Sequence, residues 1–397
     1  MSNDSTSPLP PNDFPVPKAE PLPFNIWAIQ PGGGRIMSME LGWGKIRRWW
    51  LRTFFPKYVA ASKTRLKGDP TLVPHEVIDS RDLKYFRNLA NCSFDPASDI
   101  FAWRKNIPMA TDGFFELLVF AAPPLVIGHL IYWYLGGWWN LITVPLVVFG
   151  LFVISFFRDP HRLVPTEEGA IVSPADGKVV DIQDVVHPKV GHGPVVRIGI
   201  FLSVFNVHVN RAPMAGRVLS LKYRQGEFLD ARNRDASERN ENLEVVFAEP
   251  SAPYRKFAIR QIAGAIARRI VCELRPDQTV ERGQRYGMIK FGSRTELYLP
   301  SASVDLDVRI GDKVTGGATV LGKWLAPTPE DFKPPKPKVK SFDEGPPPIE
   351  DERKEPPIPL AGESKSKYKL PERPSIPKAE ASPPRTSDPG DYGLASG

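Results

Sequence analysis

The chain has 397 residues, of which 42% are hydrophobic and 24% are charged, and this composition excludes a wholly disordered protein because it can supply a packed core. Its 52 basic and 45 acidic side chains give a net charge of +7 without a concentrated basic run, so nucleic-acid binding is not expected. Two cysteines, Cys92 and Cys272, are too few for a disulfide framework and have no neighbouring ligands at metal-binding spacing, so no metal site is predicted.

The first 110 residues are predicted to be an extension that begins disordered and then runs beside a membrane. Residues 1–30 are rich in proline and poor in apolar side chains, which predicts disorder. They also lack the basic start and apolar stretch of a secretory signal, so the catalytic part is expected to face the cytoplasm. Between Trp43 and Val59, basic side chains alternate with aromatic ones. This mixture favours a membrane-surface helix, and an ordinary amphipathic helix packed on protein is the alternative.

A strongly apolar stretch runs from Phe114 to Phe157 and is divided by the Gly136-Gly137 pair. Each half has roughly 17–20 residues, close to the length that crosses the hydrocarbon core of a bilayer. Aromatic side chains cluster between the halves, as they do at membrane interfaces. We therefore predict a helical hairpin over residues 111–157 that either spans the bilayer or re-enters one leaflet. A buried helix pair of a soluble domain is the alternative.

The next segment, residues 158–325, consists of short apolar runs broken by glycine, proline and aspartate. This pattern predicts a compact, mainly β domain of the α+β class, with a sandwich-like or barrel-like sheet. The single helix predicted inside it covers residues 263–271. Residues 326–397 are rich in proline and charge and are predicted to be a disordered tail, which either binds a partner or serves as a flexible extension.

Chemistry-bearing side chains in the β domain are few, and no glycine-rich phosphate loop, zinc signature or nucleophile elbow occurs. The groups that could move protons are Asp176, His187, His192 and His208, and the candidate nucleophile is Ser293. Each is a weak signal by itself, because a lone histidine is usually a satisfied polar residue and a Gly-Ser pair is usually a turn.

Seven segments in a fixed order provide a stronger signal: FFRDPHRLVP, IVSPADGKV, FLSVFNVHVNRAPMAGRV, KYRQGEF, QIAGAIARRIV, ERGQRYGMIKFGSRTELYLP and VRIGDKVTGGATVLGKW. In this order they resemble the phosphatidylserine decarboxylase family, and in particular its short, membrane-anchored bacterial form. The resemblance extends from the apolar stretch to the end of the β domain, around half of the sequence. The N-terminal hundred residues and the proline-rich tail lie outside it.

The resemblance implies a proenzyme that cleaves itself between Gly292 and Ser293. In such enzymes the serine hydroxyl attacks the preceding carbonyl, the upstream chain leaves, and the serine, here Ser293, becomes a covalent pyruvoyl cofactor. That group forms a Schiff base with the amine of phosphatidylserine, and loss of carbon dioxide gives phosphatidylethanolamine. The resemblance therefore predicts a carboxy-lyase made of two chains derived from one precursor.

Two further site residues follow from the resemblance. Asp176 matches the aspartate that activates the serine together with a histidine, and His208 lies in the block that supplies the active-site histidine. Longer members carry two histidines in that block, whereas Arg211 stands in the region of the second one here. His208 therefore either assists both cleavage and turnover, or cleavage depends on backbone strain and Asp176. A plain hairpin turn at Asp176-Gly177 is the structural alternative, and Arg294 after the serine is typical of the short form.

A bilayer containing phosphatidylserine is the expected partner, with the protein in the cell membrane and its catalytic domain on the cytoplasmic side. The basic residues that flank the apolar stretch are expected to hold the domain against anionic lipid: Arg104, Lys105, Arg158 and Arg162. Two other functions stay open, namely a non-catalytic membrane-anchored scaffold and a decarboxylase of another serine lipid. A homo-oligomer also stays open.

Overall fold

The computed structural model describes residues 14–332 except 192, 234, 266–268 and 291. The predicted disorder of residues 1–13 and of the tail from residue 333 onward, and the candidate His192, lie outside the described residues. The described residues belong to one compact unit. The division of the chain into segments ending at residues 110, 157 and 325 stays a prediction.

Most helices precede residue 157 and most strands follow it, although β1 and β2 lie between α2 and α3 and α6 lies between β7 and β8. The helices are α1 (Arg35–Phe54), α2 (Pro56–Arg65), α3 (Phe114–Glu116), α4 (Ala122–Tyr134), α5 (Asn140–Phe156) and α6 (Ala236–Arg239), and a π-helical turn, Leu117–Ala121, joins α3 to α4. Short 3-10 turns occur at Ser80–Leu83, Ala102–Asn106, Thr111–Gly113, Gly137–Trp139, Ser301–Ser303 and Pro329–Phe332. The strands are β1 (Leu66–Asp69), β2 (Asn91–Phe94), β3 (Ala170–Val172), β4 (Gly177–Val185), β5 (Val195–Leu202), β6 (Val209–Arg211), β7 (Gly216–Arg224), β8 (Asn242–Ala248), β9 (Lys256–Ala263), β10 (Arg269–Cys272), β11 (Thr279–Val280), β12 (Arg285–Lys290), β13 (Ser293–Pro300), β14 (Val304–Leu306), β15 (Lys313–Val314) and β16 (Val320–Trp324).

The β domain is built around one eight-stranded antiparallel sheet with the strand order β11-β7-β8-β9-β13-β5-β4-β15. Two three-stranded sheets, β10-β12-β6 and β14-β16-β3, complete it, and β1 pairs with β2 in the N-terminal extension. Buried side chains from all three larger sheets form one apolar cluster, which includes Ile198, Val245, Ile270 and Leu321. The predicted mainly β, α+β fold is therefore confirmed. Within the large sheet β13 is central, because it pairs with β9 on one side and β5 on the other.

The predicted hairpin is present as two helical runs, Thr111–Tyr134 and Gly137–Phe156, each long and apolar enough to cross a membrane. In the most apolar 18-residue stretch of each helical run, only 17% and 22% is buried. The two runs therefore do not form the buried helix pair of a soluble core. The helices pack closely, since a Cβ added at Gly150 would lie 2.6 Å from Leu125 Cγ. Both glycines of the turn have positive φ, 57° and 52°, which only glycine adopts without strain. Whether the hairpin spans or re-enters the bilayer stays a prediction.

Part of the segment predicted to be disordered packs against the rest of the protein. Ile26 and Ile29 are almost completely buried. The Ile29 N–H donates to the Tyr85 carbonyl at 2.8 Å, and its own carbonyl accepts from the Cys272 N–H at 2.7 Å. The prediction of disorder is wrong for residues 26–30, because these few apolar side chains find partners that are distant in the sequence.

The basic and aromatic segment from Trp43 to Val59 belongs to two helices rather than one. Pro56 is the first residue of α2, where its missing N–H and fixed φ suit a helix start but cannot continue α1. The aromatic side chains of α1 are exposed, as a membrane-surface helix requires. Arg47 and Arg48 instead point inward and donate to the buried Asp82 carboxylate. Part of the basic face that was predicted to meet lipid therefore forms ion pairs within the protein.

The helix predicted for residues 263–271 is wrong. β9 ends at Ala263, and β10 begins at Arg269 in antiparallel register with Lys290 of β12. Helix propensity is a weak preference, and the hydrogen-bond ladder with β12 overrides it here.

Candidate active site

Ser293 is the first residue of β13 and is completely buried. Its Cα lies opposite Leu202 of β5 and Ala263 of β9, so both neighbouring strands enclose it. The Ser293 Oγ has no hydrogen-bond partner among the described residues. A buried hydroxyl without a partner costs about 1–3 kcal/mol, so its retention suggests a chemical rather than a structural use.

The residue before it, Gly292, has a φ of 64°. This value lies in the left-handed region, where a residue with a side chain would be strained. Its carbonyl is approached closely by Gly264, where an added Cβ would lie 2.6 Å from the Gly292 oxygen. Two glycines thus allow the backbone around the Gly292–Ser293 peptide bond to take a shape that other residues could not take without strain.

His208 lies directly beside this peptide segment. The Gly292 N–H donates to His208 Nε2 at 3.2 Å. Nδ1 lies 2.9 Å from the Asn206 carbonyl, an acceptor, so Nδ1 carries the proton and Nε2 carries a lone pair. The ring is buried and packs against Phe156 with a centroid separation of 4.3 Å. Burial, together with the charge of Arg158, lowers the pKa of His208 to about 4, against the raising effect of the Asn206 hydrogen bond. His208 is therefore neutral near pH 7.

Asn210 of β6, two residues after His208, joins this strand to β13, which begins with Ser293. Its amide Nδ2 donates to Thr295 Oγ1 at 3.0 Å, and its Oδ1 accepts from Gln261 Nε2 at 2.9 Å. All three side chains are completely buried. Buried hydrogen bonds between side chains are geometrically demanding, so these bonds fix β6 relative to β13. Asn210 was not singled out from the sequence, although the alternation in VHVNR places it on the same face as His208.

Asp176 is held by other partners. Its carboxylate accepts from Arg162 Nη2 at 2.9 and 3.0 Å and from the Gly316 N–H at 2.7 Å. The hairpin-turn alternative is wrong, since β3 before it pairs with β16 whereas β4 after it pairs with β5 and β15. The structure brings Asp176 to Arg162 and Gly316 and gives it no hydrogen bond to Ser293 or His208, so its predicted role in activating the serine stays a prediction.

Two other residues singled out from the sequence have carboxylate partners. His187 Nε2 lies 3.3 Å from the Glu244 carboxylate. Arg294 donates to Asp181 at 2.7 Å and to the buried Glu296 at 2.9 Å. Arg294 therefore compensates the charge of the buried Glu296.

The four basic residues that flank the apolar stretch have different surroundings. The side chain of Lys105 lies outside the described part of the structure. Arg162 is paired with Asp176, and Arg158 donates to the carbonyls of Ser155 and Phe205 at 2.6 and 2.7 Å. The expectation that all four face lipid is therefore wrong for Arg162, which is paired within the protein.

A cavity of about 150 Å³ opens beside the Gly292 backbone. Its wall is mostly apolar, with one acidic and one basic side chain, and consists of Phe201, Leu202, Val204, Asp230, Ala231, Arg232, Gly264, Ala265 and Gly292. A small site of this kind can hold the reacting part of a ligand next to the buried serine.

The base of the hairpin also reaches this region. Lys290, two residues before Gly292, forms a buried ion pair with Glu116 of α3. Phe156, the last residue of α5, packs on His208. Both ends of the hairpin therefore contact the segments that carry the candidate active site.

Known proteins are similar to this chain over most of its β domain. A family model described as phosphatidylserine decarboxylase matches residues 149–322. A protein named phosphatidylserine decarboxylase proenzyme from Rhodopirellula baltica is 43% identical over 243 residues, which cover 61% of this chain and 99% of that protein. The chain belongs to the phosphatidylserine decarboxylase family.

Other members of the family agree. Proteins with the same name from Desulfotalea psychrophila and Carboxydothermus hydrogenoformans are 45% and 44% identical, over 47% and 55% of this chain and 86% and 98% of their own lengths. The matched residues 149–322 include Asp176, His208, Gly292 and Ser293. They do not include α1 and α2 of the N-terminal extension.

Proposed function

We propose that this chain is a phosphatidylserine decarboxylase proenzyme that cleaves itself between Gly292 and Ser293. The single observation that carries the proposal is the buried, unpartnered Ser293 hydroxyl next to a glycine in a left-handed conformation. The membership of the chain in the decarboxylase family supports the substrate assignment.

The proposed cleavage uses only atoms of the chain and one water molecule. Ser293 Oγ attacks the Gly292 carbonyl carbon, so an ester C–O bond replaces the peptide C–N bond while the hydroxyl proton passes to the nitrogen. Loss of the Ser293 Cα proton then breaks the Cβ–Oγ bond, and Gly292 leaves as a carboxylate. The dehydroalanine at position 293 takes up water and releases ammonia, which leaves a pyruvoyl group at the start of residues 293–397.

His208 is the proposed base for this cleavage. Its Nε2 lone pair lies one peptide unit before the bond that breaks, where it accepts the Gly292 N–H. Burial keeps the imidazole neutral. Its Nε2 can therefore release the Gly292 N–H and accept the proton of the Ser293 hydroxyl instead. Asp176 is proposed to act through the segment that carries it, since the Pro174 carbonyl accepts from the Arg211 N–H at 2.9 Å, on the same strand as Asn210.

The residues around position 293 fit the proposed pyruvoyl group. The backbones of β5 and β9 enclose this position, and the cavity beside Gly292 has room for a small headgroup. When present, the group supplies an electron-withdrawing carbonyl that stabilises the charge left as carbon dioxide departs. The two apolar helices support a membrane location, where a two-chain lipid need not enter water. We propose the cytoplasmic side of the cell membrane for the β domain.

The test compares Ser293→Ala with a matched control, Ser301→Ala, which removes a hydroxyl just after β13 that donates to Asp184. Denaturing electrophoresis and intact mass should find two chains in the wild type and the control, and one uncleaved chain in Ser293→Ala. Hydride reduction should trap an adduct only at position 293 of cleaved protein. Cleaved, active Ser293→Ala would refute the mechanism.

The same measurements separate the other functions. A wild-type chain that stays whole favours the non-catalytic scaffold. Cleaved protein that releases carbon dioxide from another serine lipid and not from phosphatidylserine favours the alternative substrate.

A further inference from the structure

A second, larger cavity lies in the N-terminal extension, at the start of the hairpin. It has a volume of about 330 Å³ and lies between α1, the turn at Ser80–Leu83 and the first residues of the hairpin. Basic side chains dominate its polar lining: Arg47, Arg48, Arg81, Lys84 and Arg104. Its α1 wall lies outside residues 149–322, the part that matches the decarboxylase family model.

Most of these cations already have carboxylate partners. Lys84 pairs with Glu40 at 2.8 Å, and Arg81 pairs with Asp79 at 2.6 Å. Arg47 and Arg48 share the buried Asp82 carboxylate. Four cations thus share three carboxylates, and Arg104 adds a fifth positive charge to this partly buried place.

Arg104 is the cation without an ion-pair partner among the described residues. Its guanidinium lies over aromatic rings, 5.1 Å from the centre of Phe101 and 6.0 Å from that of Phe114. Burial lowers the pKa of Arg104, and the positive charges of Arg81 and Arg47 also lower it, against the charges of Asp79 and Glu40. An anion bound beside Arg104 would relieve this repulsion and use guanidinium donors that have no acceptor in the described part of the chain.

The cavity is also next to exposed apolar surface. Leu118, in its wall, is 64% exposed and belongs to the first apolar helix, and Trp43, on the opposite wall, is 57% exposed. Trp103, next to Arg104, is 56% exposed. Exposed tryptophans beside an apolar helix are typical of the headgroup level of a membrane. A molecule with an anionic head and an apolar tail fits this combination of surfaces.

We propose that this cavity binds the phosphate of an anionic phospholipid, with Arg104 as its main ligand and the acyl chains along the first helix of the hairpin. The inference rests on the proposed membrane location of the hairpin. It concerns a site separate from Ser293, made of different residues, and its occupation would hold the extension against an anionic bilayer.

The test measures lipid binding by the full-length chain in non-ionic detergent. The probes are short-chain phosphatidylglycerol, short-chain phosphatidylcholine and inorganic phosphate. The variants are Arg104→Gln, Arg104→Lys and a matched control, Lys57→Gln, which removes an exposed cation of α2 outside the cavity. All are also made in the Ser293→Ala background, so that binding is read with and without self-cleavage.

We expect saturable binding of phosphatidylglycerol that Arg104→Gln weakens about tenfold, as expected for a charged hydrogen bond, while Lys57→Gln leaves it unchanged. Arg104→Lys should retain part of the affinity, because it keeps the charge and loses the fork of donors. Equal affinity in Arg104→Gln and wild type, or equal binding of phosphatidylcholine, would overturn the proposal. Inorganic phosphate binding as tightly as the lipid would overturn the lipid assignment. A wild-type chain that stays uncleaved contradicts the proposed function and leaves this measurement intact.

Discussion

Self-cleavage is expected to be almost independent of pH in the range where an ordinary histidine titrates. Burial against Phe156 and its neighbours lowers the pKa of His208 from 6.5 to about 4. With a pKa near 4, about 97% of the imidazole is neutral at about pH 5.5, whereas with the ordinary value only about 9% is neutral there. Because the neutral form is the proposed base, the rate should stay level between about pH 7.5 and 5.5 and decline only toward pH 4.

The assay follows a pulse-labelled precursor made by cell-free synthesis in detergent micelles, transferred to buffers of different pH and separated by denaturing electrophoresis. Phe156→Ala admits water to the imidazole, so its pKa should rise toward the ordinary value and the rate should become pH-dependent. Phe152→Ala is the matched control, since this ring of the same helix packs on Phe205 and not on His208. A tenfold decline in the wild-type rate between about pH 7.5 and 5.5 would refute the reasoning, because that is the behaviour of a solvent-exposed histidine.

Three substitutions test the supporting structure. Asn210→Ala leaves buried partners without hydrogen bonds and should lower the free energy of unfolding by roughly 1–3 kcal/mol in denaturant titrations, with slower self-cleavage. Gly264→Ala places a Cβ 2.6 Å from the Gly292 oxygen and should slow cleavage severalfold, whereas Gly42→Ala, which meets open space, should not. Equal rates in both glycine variants would contradict the argument from close approach. Lys290→Met leaves its buried glutamate unpaired and should lower the free energy of unfolding by roughly 3–5 kcal/mol, measured by thermal unfolding.

Hydropathy and strand alternation predicted the elements whose signal is local. The apolar run from Phe114 to Phe157 predicted the hairpin, because its length and lack of charge need no knowledge of partners. Short alternating runs predicted the β domain for the same reason. Ser293 was predicted as a site residue from the order of the motifs, since a serine after a glycine carries no distinctive pattern by itself.

The elements that were missed depend on partners far away in the sequence. The burial of Ile26 and Ile29 requires Tyr85 and Cys272, and a proline-rich composition conceals it. Arg47 points inward because it donates to Asp82. The spacing of Arg47 from the tryptophans of α1 had indicated a lipid-facing residue. Such pairings depend on the tertiary fold and produce no periodic pattern in the amino-acid sequence.

The two contacts at the base of the hairpin have a consequence for the timing of maturation. Glu116 neutralises a lysine just before the proposed cleavage site, and Phe156 shields the imidazole beside it. A nascent precursor whose hairpin has not yet docked lacks both contacts. We therefore expect the peptide bond to survive until the anchor is inserted. Synthesis without any bilayer or detergent should accumulate whole precursor, and prompt processing under those conditions would exclude such a checkpoint.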